Sequence, residues 1–388
     1  MLFRPFGFNV HREAHGVQTM TRREMNLNVF RGEPGPQVFF QPRIEPWFAW
    51  NKQLGKLPEE YQNMHVLNLY DALALSMRYP SYYTEIPEPI ERKFSAQVQT
   101  RTEADGKYRL EIITTPYGDL VSKSAQTPEG PYRTVGFPVQ GREDFKKLEW
   151  LCENTRYEFS LDRFAQAEKF LGDRGVVQFS LPRSPYQALC QQWMTYEQFI
   201  YALFEDPGSV RSVMDKIDAS YDSLYEDLLA CGRLEIVGFG ENIDCNLLSP
   251  KYFEAYLLPF YEKRSNQLRE AGIFTHVHID GSFRPLLKYL KDLPFDGLEA
   301  LTPKPMGDVS IDEIKAHIGE KILLDGIPAV LFMSTFTRAE LEACVQQIVE
   351  MFSPRLVLGI SDEMPMAADA EGLERVRWVS EYCRQTKP

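Results

Sequence analysis

The chain has 388 residues, 44% hydrophobic and 25% charged, enough apolar material for a large core. Its 43 basic and 55 acidic side chains leave a net charge of −12, which excludes the basic stripe that a nucleic-acid groove requires. Six cysteines without a Cys-x-x-Cys pair exclude a disulfide framework or a cysteine-rich zinc module.

No apolar run approaches the roughly 18 residues of a membrane span, and the N-terminus lacks a signal-peptide core, so a cytoplasmic protein is expected. Residues 1–20 read as a tail with no assigned role. The first strand is expected at Val38-Phe39-Phe40-Gln41, running into Pro42-Arg43-Ile44-Glu45-Pro46-Trp47. A helical pattern then extends from about Glu59 to Met77 and stops near Pro80.

Residues 95–140 have a different rhythm. Apolar and polar residues alternate on both sides of Ala104-Asp105-Gly106, the signature of an antiparallel hairpin. A turn at Tyr117-Gly118-Asp119 predicts another strand. This stretch reads as a β-rich insertion on a larger fold, serving as a structural cover or a substrate lid.

From residue 175 strands and helices alternate. Buried-strand runs occur at 176–179, 234–239, 273–278, 297–301, 322–325 and 356–360. Helix starts are marked by Ser249-Pro250 and by the capping boxes Ser310/Glu313 and Thr337/Glu340, with stops at Gly272 and Gly319. Repeated β-α units imply a parallel sheet. Periodicity alone leaves a closed (β/α)8 TIM barrel and an open doubly wound sheet both standing. No Gly-x-Gly-x-x-Gly follows a strand to favour the latter.

The unusual polar residues fall at the C-terminal ends of these strands: Arg43 and Glu45, Glu241, the series His276, His278 and Asp280, then Glu299, Asp325 and the pair Asp362-Glu363. In parallel barrels that rim is where active sites are built. Alternation along a strand sends His276, His278 and Asp280 to one side, with Val277 and Ile279 packing the other way. Imidazoles with carboxylates from other strands form a competent zinc donor set. Each residue alone also has an ordinary reading as a core hydrogen-bonding group, a helix cap or a strand-end ion pair. Glu299, inside an apolar strand, needs a partner or a cation to offset its desolvation.

In order along the chain, Ser249-Pro250-Lys251-Tyr252-Phe253, Pro259-Phe260, Gly272-Ile273, His278-Ile279-Asp280-Gly281, Gly326-Ile327-Pro328 and Gly359-Ile360 with Pro365 resemble the uroporphyrinogen decarboxylase superfamily. Thr21-Arg22-Arg23-Glu24 resembles its opening helix. The resemblance implies a single barrel domain over residues 1–388. Within the superfamily the sequence leans towards methyltransferases that use zinc and a corrinoid. Members that methylate coenzyme M hold zinc with a His-x-Cys-Gly motif and a later cysteine; here Asp280 and Leu358 replace the two thiolates. The stretches Gln41–Trp47 and Glu299 to Pro303-Lys304-Pro305 look most like the corrinoid-dependent O-demethylases.

That branch implies zinc on Glu241, His278, Asp280 and Glu299, acting as Lewis acid on the oxygen of a methoxylated substrate. The methyl group passes to a corrinoid (cobalamin) on a partner protein. Asp362, Glu241 or His276 is expected to deliver a proton, and Arg43, Trp47 and Tyr186 to contact the substrate. Alternatives are a uroporphyrinogen decarboxylase-like lyase holding an acid with Arg43 and Arg183, a methylcobamide:thiol methyltransferase, and a non-catalytic subunit. The run Arg-Gln-Ala-Gly-Arg that marks the true decarboxylase is missing. A homodimer is left open.

Overall fold

Runs of branched and aromatic residues form seven short parallel strands in a computed structural model that describes residues 20–33, 35–127 and 132–388. In chain order the strands are β1 (Phe39–Phe40), β2 (Ile90–Phe94), β3 (Gln99–Asp105), β4 (Tyr108–Thr115), β5 (Gly118–Gln126), β6 (Tyr132–Gly136), β7 (Thr155–Phe159), β8 (Ser180–Leu181), β9 (Ile236–Phe239), β10 (Phe274–His278), β11 (Gly297–Glu299), β12 (Ile322–Pro328) and β13 (Leu356–Ser361). The main sheet has the order β1-β13-β12-β11-β10-β9-β8, all parallel. From β8 to β13, each strand lies beside the next one in the chain. This arrangement is TIM-barrel-like. Both faces of the sheet are covered, so its strands are continuous apolar runs such as Ile322-Leu323-Leu324 and Leu356-Val357-Leu358, all buried.

The helices between strands begin where their caps stand. Ser310 accepts from the Glu313 amide and Thr337 from the Glu340 amide, each with the reciprocal glutamate bond. Gly319 closes the first of these helices with φ +61.

The helix expected from Glu59 to Met77 is broken into two pieces, a 3-10 turn at Glu59–Tyr61 and a helix at Val66–Ala72. Ala74, with φ +55, ends it. Beyond that point, tertiary pairing overrides helical propensity. The Ser76 amide donates to Phe40 O (3.3 Å), the Met77 amide to Arg174 O (3.3 Å) and the Gln178 amide to Arg78 O (3.1 Å). Residues 76–78 therefore sit between β1 and the chain entering β8, the two ends of the sheet.

The insertion is present as expected and is larger than a hairpin. β3 to β6 form an antiparallel meander, turning at Gly106 (φ +61) and at Gly118, with a register shift at Lys123/Ser124. β2 and β7 pair antiparallel at its base. Leu120 is buried in the main core and Ile113 packs against it, so the meander is docked on the body of the protein. Among the described residues no helix is long and apolar enough to cross a membrane.

Gly359 on β13 lies in register with Gly326 on β12. A Cβ at Gly359 would fall 2.3 Å from Asp325 Oδ1 and 3.0 Å from Gln41 O. The second contact is with backbone and cannot swing away. Gly359→Ala is expected to destabilise the protein by about 1–3 kcal/mol, read as a lower urea midpoint.

Candidate active site

Register brings the polar residues together. His278 on β10 is paired with Glu299 on β11, and His276 with Gly297. Both imidazoles thus face the same interior as the Glu299 carboxylate. The His276 ring occupies space that two glycines leave open: a Cβ at Gly238 would meet its Cε1 at 2.9 Å, and one at Gly297 its Cβ at 3.3 Å.

Arg78 lies at the centre, fully buried. Its Nη1 donates to Glu299 Oε1 (2.6 Å) and Asp325 Oδ2 (3.2 Å), Nη2 to Asp325 Oδ1 (3.0 Å) and Nε to Gln41 Oε1 (3.0 Å). The Tyr79 hydroxyl lies 3.0 and 2.9 Å from the two oxygens of Glu299. Burial alone would protonate Glu299. Arg78 and the neighbouring imidazoles outweigh it and hold the carboxyl well below its usual range. Asp325 shares the same guanidinium; burial, opposed by Arg78, pushes it up to about 6. One carboxylate of this pair is firmly ionised and the other titrates near neutrality. Asp325 also holds φ +75, a conformation that L side chains rarely adopt and that its two bonds from Arg78 help to hold.

The two histidines diverge. His276 Nε2 lies 2.9 Å from Gln178 Oε1, and Nδ1 lies 3.1 Å from Glu299 Oε2. Burial dominates and pushes its pKa down, so the ring is neutral. His278 has Nδ1 3.7 Å from Glu299 Oε2 and Nε2 3.9 Å from Asp362 Oδ1. Burial again pulls downward, but the two carboxylates outweigh it and raise its pKa, favouring imidazolium.

Around this centre stands a rim. Arg43 pairs with Asp362 and, at 3.4 Å, with Glu363, which also accepts from Tyr82 OH at 3.0 Å. The Arg43 guanidinium lies over the rings of Tyr82 (4.8 Å) and Tyr79 (5.3 Å). Glu241 accepts from the Ser184 amide (2.6 Å) and hydroxyl (2.7 Å); burial nevertheless raises its pKa. Arg43, Tyr79, Tyr82, Arg183, Glu241, His278, Glu299 and Asp362 line one cavity of about 240 Å³.

Most of the expected site residues therefore converge. His276 lies behind the cavity lining, against Glu299. Trp47 and Tyr186, expected on the substrate wall, are instead core residues that do not line the cavity. Trp47 is buried with Nε1 donating to Ala368 O (2.8 Å), and Tyr186 packs edge-on against Phe199 at 4.8 Å. Glu45 is likewise buried away from the cavity, where desolvation pushes it up to about 7. Arg78, Tyr79 and Tyr82 were missed, because their segment reads as the end of a helix. A signal existed in Arg78-Tyr79 directly after the apolar run Leu73–Met77.

The four residues expected to hold zinc are turned to other partners. Glu299 is held by Arg78 and Tyr79, Glu241 by Ser184, and Asp280, outside the cavity lining, accepts from the Gly281 amide at 2.7 Å. The two nitrogens of His278 face different carboxylates. Among the described residues no three His, Cys, Asp or Glu side chains stand grouped as a metal set. As arranged, these donors do not fit a zinc ion, since a guanidinium already supplies the positive charge that Glu299 needs.

The sequence pattern of the family described as Uroporphyrinogen decarboxylase (URO-D) matches residues 128–382. A solved structure described as a methyltransferase from Methanosarcina mazei aligns over 94% of this chain and 99% of its own, with TM-score 0.60 and 15% identity. At that identity the likeness concerns the fold alone. A B12-independent methionine synthase from Shewanella sp. W3-18-1 aligns more loosely, with TM-score 0.43 and 11% identity over 82% of this chain and 85% of that one, and carries no argument. No curated protein matches the sequence.

Arg78 gives a direct test of the site's electrostatics. Arg78→Met would leave two carboxylates buried without their cation, and is expected to cost about 3–5 kcal/mol at pH 8. Unpaired, both carboxyls would have raised pKa values, so protonation relieves the penalty. Denaturant titrations should therefore show a smaller loss at pH 5 than at pH 8.

Proposed function

This chain belongs to the uroporphyrinogen decarboxylase family, and from that premise we propose that it transfers a methyl group from a methoxylated substrate, an aromatic ether, to the corrinoid of a separate carrier protein. The observation that carries this reading is the placement of His278, set between Glu299 and Asp362 on a cavity wall and biased towards its protonated form. We read residues 76–78 as the eighth strand of a closed barrel, which puts this cavity at the barrel mouth.

Breaking a methyl ether leaves an alkoxide or phenoxide, a poor leaving group that needs a proton as the carbon–oxygen bond parts. His278 supplies that proton to the ether oxygen and regains one from solvent. Asp362 and Glu299 stabilise the imidazolium beforehand, and Glu299 is itself fixed by Arg78 and Tyr79. His276, neutral and donating through Nε2 to Gln178 Oε1, packs behind Glu299. Burial holds the Tyr79 and Tyr82 hydroxyls in their protonated form, and they donate to Glu299 and Glu363. The reduced corrinoid, when its carrier docks, supplies the nucleophile that accepts the methyl group.

A lyase acting on a carboxylic acid is the second reading. It is favoured by Arg183, a half-buried cavity residue whose buried Nη1 has no hydrogen-bond partner.

The deciding assay combines the protein, a reduced corrinoid carrier and a panel of methoxyarenes, followed by methylcobalamin absorbance. Methyl transfer is expected for the wild type, with His278→Gln slower by about 10²–10⁴-fold. Because the acid form is the active one, the wild-type rate should fall as pH rises through the raised pKa of His278. Absence of methyl transfer with a competent carrier, or release of CO2 from an acid in its place, would overturn the reading.

A further inference from the structure

The 240 Å³ cavity does not end at the barrel rim. Glu88, Ser180, Arg183 and Gly240 also line a second space of about 760 Å³, open towards the insertion. Ligand sites for small molecules usually occupy roughly 300–1,000 Å³, so the inner cavity is small by itself and the outer space is of ordinary size. The outer space has two walls. One is the barrel side, with Leu181, Trp193 and Tyr221. The other is the insertion, with Phe94 on β2 and Ile112 and Ile113 on β4.

The insertion wall is held in place. Leu120 belongs to the main core and Ile113 packs against it, the Val139 amide donates to Trp193 O at 2.8 Å, and Lys147 Nζ donates to Asp119 O at 3.3 Å. A meander serving only as cover would close on the barrel. This one leaves a groove leading to the site, lined by Phe94, Ile112, Ile113 and Trp193 together with polar side chains such as Thr100, Thr102 and Gln192.

Of the other charged side chains on the groove, Arg101 is paired with Glu103 (2.8 Å) and Asp119 (3.0 Å), Glu111 with Arg109 (3.1 Å), Arg92 lies 5.0 Å from the Phe94 ring centroid, and Glu88 lines both spaces. Arg183 differs. It stands where the two spaces join, and its Nη1 is buried with no hydrogen-bond partner. Glu241, the anion that senses its charge, already accepts two bonds from Ser184. A buried guanidinium nitrogen left unmatched is costly unless an anion completes it.

We propose that the insertion forms one wall of the substrate site, and that the substrate is an elongated molecule whose single anionic group pairs with Arg183 while an apolar part lies against Phe94, Ile112, Ile113 and Trp193. This rests on the inner cavity being the reaction site, and extends the methyl-transfer reading by naming the substrate class.

Equilibrium binding of unreactive compounds tests it without turnover. Biphenyl-4-carboxylate, biphenyl-4-carboxamide and benzoate are titrated calorimetrically into the full chain, with thermal melts confirming that each variant folds. Biphenyl-4-carboxylate is expected to bind at least ten-fold tighter than either of the others. Arg183→Gln should erase its preference over the carboxamide, and Arg183→Lys should keep most of it. Ile113→Asp should weaken the biphenyl acid while leaving benzoate unchanged. Equal binding of acid and amide, an acid preference that survives Arg183→Gln, or no binding of any compound would overturn the proposal. Failure of methyl transfer with this binding pattern intact would remove only the reaction assignment. Methyl transfer that ignores Arg183→Gln and Ile113→Asp would remove only the groove.

Discussion

Two carboxylates are buried in the middle of this parallel sheet because one guanidinium reaches both. Arg78 binds Glu299 on β11 and Asp325 on β12, and β12 joins β11 to β13. Removing an ion from water costs several kcal/mol even after relaxation, so neither acid would stay charged there alone. The same short segment that carries Arg78 makes backbone bonds to β1 and to the chain entering β8. One stretch of chain therefore both bridges the sheet ends and neutralises the centre, and the two tasks fix each other's geometry.

From that balance the chemistry of the rim follows. With Arg78 holding Glu299 ionised, the carboxylate can act on the imidazoles beside it. His276, sealed between glycines, stays neutral; His278, with Asp362 on its other side, becomes the acid. The pKa values of two histidines two residues apart are thus pushed in opposite directions, burial winning at His276 and the two carboxylates at His278. The site contains its own compensating positive charge in Arg43, Arg78 and His278, which is why carboxylates that look like metal ligands in the sequence are already satisfied.

How much of this could be read from sequence depended on whether the signal was local. The insertion was legible because Asp105-Gly106 sits between alternating runs, and its turn and strand pairing are nearest-neighbour properties. The pairing of His278 with Glu299 was legible as two polar residues at the ends of successive buried strands. Arg78 was not, because a short irregular segment after a helix leaves no period of its own. Trp47 and Tyr186 misled for a different reason: an aromatic side chain in an apolar context fills volume far more often than it lines a site. The partners of the expected zinc donors were not legible for a third reason. Sequence shows donor types, whereas Arg78, Tyr79 and Ser184, the groups that occupy those donors, come from distant segments.

The central claim is that an ionised Glu299, held by Arg78, keeps His278 protonated on the cavity wall. The most direct test follows the His278 ring protons by NMR across a pH titration, in the wild type and in Glu299→Gln, with assignment by loss of the resonance in a His278 variant. The account predicts a wild-type midpoint above the ordinary histidine value of about 6.5, and a midpoint below it in Glu299→Gln, where burial is less opposed. A wild-type midpoint below the ordinary value, or one that Glu299→Gln leaves unmoved, would contradict it.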